Sequence, residues 1–90
     1  GKIMATMILQ KEDAISEMNE MIQEMVTIQA QIAEQGDTQG KLSALGQYMA
    51  IIADTVTDLE RISAERTEEI QSALASARLL RAEAQSLRAK

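Results

Sequence analysis

Between Leu42 and Leu87, apolar side chains recur at alternating steps of three and four residues. The line runs Leu42, Leu45, Met49, Ile52, Val56, Leu59, Ser63, Arg66, Ile70, Ala73, Ala77, Leu80, Ala84, Leu87, and only Ser63 and Arg66 interrupt it. A spacing averaging about 3.5 residues keeps one face of a helix apolar, which marks packing along its length against other helices. Residues 1–35 carry a comparable pattern through Met4, Ile8, Lys11, Ile15, Met18, Ile22, Met25, Gln29 and Ile32, with Met7, Ala14, Met21 and Ile28 beside it. That face is wider than a two-position seam and suits a helix with two neighbours.

The stretch Gln35-Gly36-Asp37-Thr38-Gln39-Gly40 is the one turn-like segment. Gly36 can take the left-handed conformation that ends a helix. Asp37 or Thr38 can accept hydrogen bonds from the free amides that open the next one. A connection this short returns the chain antiparallel. The pattern therefore predicts an all-α fold: a first helix within residues 1–35, a turn at 36–40, and a long second helix over 41–90. The fold class is a two-helix antiparallel hairpin, a coiled coil completed to a helical bundle by self-association.

The two helices differ in length. At 1.5 Å per residue, the second would reach about 75 Å and the first about 50 Å. Residues from about 76 onward would overhang, yet they keep their stripe through Leu80 and Leu87. Each large apolar side chain left in water forgoes about 1.5–3 kcal/mol, so the overhang predicts a second chain. Two hairpins forming a four-helix bundle are the simplest solution. Expected interface residues are Met18, Met21, Met25, Ile28, Leu45, Ile52, Leu59, Ile70, Leu80 and Leu87. Lys11 and Arg66 interrupt the two stripes and would meet across the hairpin, a polar layer suited to fixing register.

Composition narrows the chemistry. There is no Pro, Cys, His, Trp or Phe, and Tyr48 is the sole aromatic. Without His or Cys, a catalytic triad, a thiolate nucleophile and a zinc–cysteine site have no components. Glu12, Asp13, Glu17, Glu20 and Glu24 resemble the acidic helices of carboxylate-bridged metal bundles, but such sites pair interior carboxylates with a histidine. These acids lie mainly off the apolar stripe and read as a solvated face. The six methionines fall on core positions and read as adaptable packing rather than soft metal ligands. No glycine-rich phosphate loop occurs, since Gly36 and Gly40 lack the surrounding motif. No catalytic residue, cofactor or metal is expected, and the chain is not expected to be an enzyme. Gly46, near Ala44, Ala50 and Ala53, could allow close helix approach.

Net charge is −5, unevenly spread: residues 1–40 hold two basic and seven acidic side chains, and residues 76–90 hold four basic and one acidic. Basic groups at a helix C-terminus complement its dipole. Overall acidity and the lack of stacking aromatics argue against nucleic acid. No apolar run is long enough to span a bilayer, and the acidic polar face of the first helix weakens attraction to anionic lipid. The absence of cysteine does not identify a compartment, and a cytoplasmic one is the default expectation. The chain opens on Gly1 rather than Met, which suggests a segment cut from a larger protein, with a second helix that could continue past Leu87. The functional expectation is a structural coiled-coil oligomerisation or scaffold segment, most simply a dimer of hairpins. The alternatives are an adaptor or secretion-type chaperone binding a partner helix on the Met/Ile face, and a filament subunit built by staggered hairpins.

Overall fold

The computed structural model describes residues 2–36 and 39–89, and the side chains of residues 5–36 and 39–88. The described residues form three helices and no strand: α1 (Lys2–Gln35), α2 (Lys41–Arg61) and α3 (Thr67–Ala89). The longest dimension is 53 Å and the other two are 16 and 15 Å. A 34-residue helix is about 51 Å long, so α1 alone accounts for the length. α2 and α3 lie side by side against it.

The glycine-bounded turn behaves as its sequence suggests. Gly36 has φ +81° and Gly40 φ +70°, both in the left-handed region. The Gly36 amide donates to the Ala33 carbonyl at 3.3 Å, closing the end of α1, and the Gly40 carbonyl accepts from Ala44 at 3.2 Å, opening α2. The expected capping residues Asp37 and Thr38 lie outside the described residues. The N-cap position belongs to Gly40, which has no side chain to do the work.

The single long helix expected over 41–90 is corrected by the structure. α2 ends at Arg61, and the chain turns through residues 62–66 before α3 begins. Ile62 is extended (φ −84°, ψ 159°), and its amide makes the last helical bond, to the Asp58 carbonyl. Residues 63–66 then form a β-turn closed by the Arg66 amide on the Ser63 carbonyl at 3.1 Å, and the Ser63 hydroxyl accepts from the Glu65 amide at 3.2 Å. The Arg66 carbonyl accepts from Ile70 to start α3. Glu68 and Glu69 sit in that first turn, where negative charge favours the exposed amides. The break falls on the two polar interruptions of the stripe. Ser63 and Arg66 are exposed at the turn, positions that an unbroken helix would have placed on its packed face.

Turning there gives α3 a surface to cover within the same molecule. Ile70, Ala77 and Ala84 are buried, and Ala73, Leu74, Leu80 and Leu87 pack half-buried against the core. The segment from Ser76 onward is therefore not an overhang. Two hydrogen-bonded pairs show how α3 lies. Arg78 reaches Glu17, and Gln85 reaches Glu24, each across 61 residues of sequence. A constant offset means that α3 runs parallel to α1, and hence antiparallel to α2.

The core line on α1 is Ala14, Met18, Met21, Met25, Ile28 and Ile32, all 2% exposed or less. These positions alternate steps of four and three, as a helix facing a two-helix groove should. The seam thus runs between the two apolar lines of the sequence, taking Met18, Met25 and Ile32 from the first and Ala14, Met21 and Ile28 from the second. Ile8 is 45% exposed, Gln29 is exposed, and Ile15 and Ile22 are half-buried. The side chain of Met4 lies outside the described residues. α2 contributes Leu45, Ile52, Val56 and Leu59, as its stripe predicts. No described polar or charged residue is buried.

Candidate interaction surface

Among the candidate ligand side chains, the central methionines of α1 are committed to packing. Met18, Met21 and Met25 are sealed in the core, with exposures of 0–1%. Of the expected interface residues, these three with Ile28, Leu45, Ile52, Leu59 and Ile70 are buried inside a single copy, and Leu80 and Leu87 are half-buried against the same core. Among the described residues, no three His, Cys, Asp or Glu side chains converge on a point that could hold a metal ion. No described helix is long and apolar enough to cross a membrane.

Lys11 and Arg66 each find a different partner. Lys11 is half-buried on the α1 seam, one turn before Ala14. Its ammonium donates to the Ile62 carbonyl at 2.8 Å and to the Glu60 carbonyl at 3.3 Å. These carbonyls lie at the end of α2, where acceptors run out of intrahelical partners and a cation is favoured. Lys11 is thus a cap supplied by a neighbouring helix. Arg66 instead pairs with Glu69 on its own helix at 3.1 Å, with both side chains well exposed. Lys11 lies on a packed line as its spacing predicts, and the turn at 62–66 gives it the α2 end carbonyls in place of Arg66 as its neighbour.

The acidic row on α1 divides into two parts. Glu17 receives a two-pronged contact from Arg78, Nε to Oε2 at 2.7 Å and Nη2 to Oε1 at 3.0 Å. The hydrogen bond from Arg78 holds the Glu17 carboxyl below the usual glutamate range, outweighing the opposing effect of burial, and the charges of Arg78 and Arg81 add to it. The same contact raises Arg78 above its ordinary value. Glu24 accepts from the Gln85 amide at 3.0 Å. Glu12, Asp13 and Glu20 remain exposed.

Apart from the singly exposed Leu9, Val26, Ile51 and Leu79, a row of apolar side chains is left open on the opposite flank. Glu17 and Glu24 reach toward α3; Ile15 and Ile22, two residues earlier on the helical wheel, project to the other side of the seam. With Ile8 they form a row of isoleucines at seven-residue spacing. Ile15 and Ile22 floor a shallow, open groove whose other walls are Glu12, Ser16, Asn19, Glu20 and Gln23. The apolar pattern predicts Ile8, Ile15 and Ile22 on the core line. The buried alternation from Ala14 to Ile32 was the signal that they lie beside it. Gly46 is exposed, with open space where a Cβ would sit, so no helix approaches it closely. Compared with protein-family models, curated proteins and solved structures, the chain matches none.

Proposed function

We propose that this chain is a structural assembly module, a rod-shaped bundle without catalytic activity that joins other proteins by accepting their helices on its surface. The observation that carries the reading is the isoleucine row Ile8, Ile15 and Ile22, left half-exposed beside a closed core. Seven-residue spacing is the repeat that a further helix would follow along α1. The rim selects the partner. Glu12 and Glu20 border the groove and make no ion pair among the described residues, so an amphipathic helix with Lys or Arg flanking its apolar stripe is complementary. Two α1 flanks packed on each other would instead juxtapose carboxylates. The reading thus favours the adaptor over a dimer of hairpins built on this face.

A synthetic amphipathic helix with leucines in heptad positions and lysines beside them tests it. The peptide should bind the intact chain and bind the Ile15→Asp/Ile22→Asp variant at least about tenfold more weakly, a loss of about 1.4 kcal/mol or more. A glutamate-flanked peptide of the same apolar pattern should also bind poorly. Equal binding by the parent and the variant rejects the surface.

A further inference from the structure

The two connections of this bundle are built differently. The first is bounded by Gly36 and Gly40, both at positive φ, and each glycine disfavours a continuous helix there by about 1 kcal/mol relative to alanine. The second, Ile62-Ser63-Ala64-Glu65-Arg66, holds no glycine or proline, and none of its residues has positive φ. Rotating a few backbone angles there would join α2 and α3 into one helix.

The apolar stripe is also continuous in phase through that connection. Steps of three and four run from Leu59 through Ser63 and Arg66 to Ile70 without a slip. A turn places no such demand on the helices that it joins. In the closed bundle, α2 buries Leu45, Ile52, Val56 and Leu59, and α3 buries Ile70, Ala77 and Ala84, all members of this one line. Were α2 and α3 straightened, the buried face of α3 would still align with that of α2. It would project beyond its own hairpin and have nothing to cover there.

We propose that α3 is an exchangeable element: with residues 62–66 helical, α3 of one copy occupies the groove between α1 and α2 of a second copy, and the exchange is mutual. The occupant is specified by the fold itself, because the groove is the one that α3 fills in the single chain. The direction agrees as well. α3 runs antiparallel to α2, so two straightened helices would lie antiparallel and cross near residue 64. Ser63 and Arg66 of both copies would then meet at the centre as a polar layer. That layer, together with the favourable turn, holds the closed form dominant in dilute solution. The buried helix–helix contacts are conserved between the two forms, as helix exchange requires, while the Lys11 cap on the Glu60 and Ile62 carbonyls is given up to the intrahelical bonds of the straightened segment.

The turn supplies a variant that separates the two forms. Ala64 is the second residue of the β-turn closed by Arg66 on Ser63, the position where proline is favoured. Inside a continuous helix proline is strongly unfavourable. The experiment is refolding of the full chain at millimolar concentration, followed by measurement of mass by size exclusion with light scattering. The parent is expected to give a discrete dimer that reverts slowly on dilution. Ala64→Pro should leave a folded monomer, with dimerisation weakened by at least about a hundredfold. Ser63→Leu/Arg66→Leu, which fills the two gaps in the stripe, should raise the dimer fraction at least about tenfold. Circular dichroism confirms that each variant is folded. A dimer that persists in Ala64→Pro, or a leucine variant that stays monomeric under all conditions, overturns the proposal. A dimer abolished by Ile15→Asp/Ile22→Asp but not by Ala64→Pro would assign association to the isoleucine flank and likewise overturn it.

Discussion

Ile70 lies in the first turns of α3 at 1% exposure, at a position that has cover only because the chain folds back at residues 62–66. Truncation to alanine removes three carbons, worth about 2.4 kcal/mol at about 0.8 kcal/mol each. Incomplete collapse of the cavity adds to this. The better helix propensity of alanine returns a few tenths of a kcal/mol. The net loss is about 2.5–3 kcal/mol, a large fraction of the roughly 5–13 kcal/mol expected for a chain of this size. It corresponds to a fall in Tm of about 10–20 °C. The assay is denaturant unfolding followed by far-UV circular dichroism at low micromolar concentration. Leu79→Ala provides the control. Leu79 is on the same helix but 71% exposed, and its truncation should stay within about 0.5 kcal/mol. If Ile70→Ala costs no more than Leu79→Ala, then α3 is not packed intramolecularly and the argument fails.

Other outcomes follow from single residues. Gly46→Ala should stabilise the protein by up to about 1 kcal/mol, because the site is exposed, helical and has room for the methyl group. Gly40→Ala should do the reverse by about 1–2 kcal/mol, since φ +70° is left-handed; paired thermal melts measure both. Lys11→Met should lose about 1–2 kcal/mol by leaving the end carbonyls of α2 without their ammonium donor, and hydrogen exchange at the α2 C-terminus should rise. The Glu17 carboxyl is held low in the folded chain. Its stabilising contribution is therefore present above the pKa of an unfolded glutamate and is lost as pH falls through the depressed folded value. Melts of the parent and Glu17→Gln should differ at neutral pH and converge in strong acid. Added salt should narrow the difference because the pair is exposed.

Much of this fold was legible in the sequence. The period of α2, the glycine turn and the all-α class follow from local rules, and the structure agrees with them. The stripe also marks the packed face of α3, where Ile70, Ala77 and Ala84 are buried. What the sequence concealed was the turn between them. Residues 62–66 carry no glycine or proline, and phase continuity from Leu59 to Ile70 is the signature of an uninterrupted helix. The deciding interaction is non-local: α1 is long enough to lie beside both later helices, and its wide face accepts α3 only when the chain turns. The two polar residues in the stripe, with Glu68 and Glu69 just beyond them, were the available sign. The surface was harder still. Every isoleucine on a wide face looks like core until the seam is centred, and only burial of Ala14, Met21 and Ile28 places Ile8, Ile15 and Ile22 at the edge.

The direction of α3 can be read by one distance. Spin labels at Ser43→Cys and Arg88→Cys, both exposed positions, report the separation between the start of α2 and the end of α3. In dilute monomer, with neighbouring helix axes about 8–10 Å apart, pulsed dipolar spectroscopy should give a distribution centred below about 25 Å. A dominant distance near 68 Å, the length of about 45 residues of continuous helix, would show that the chain does not turn at residues 62–66 and would contradict the three-helix bundle.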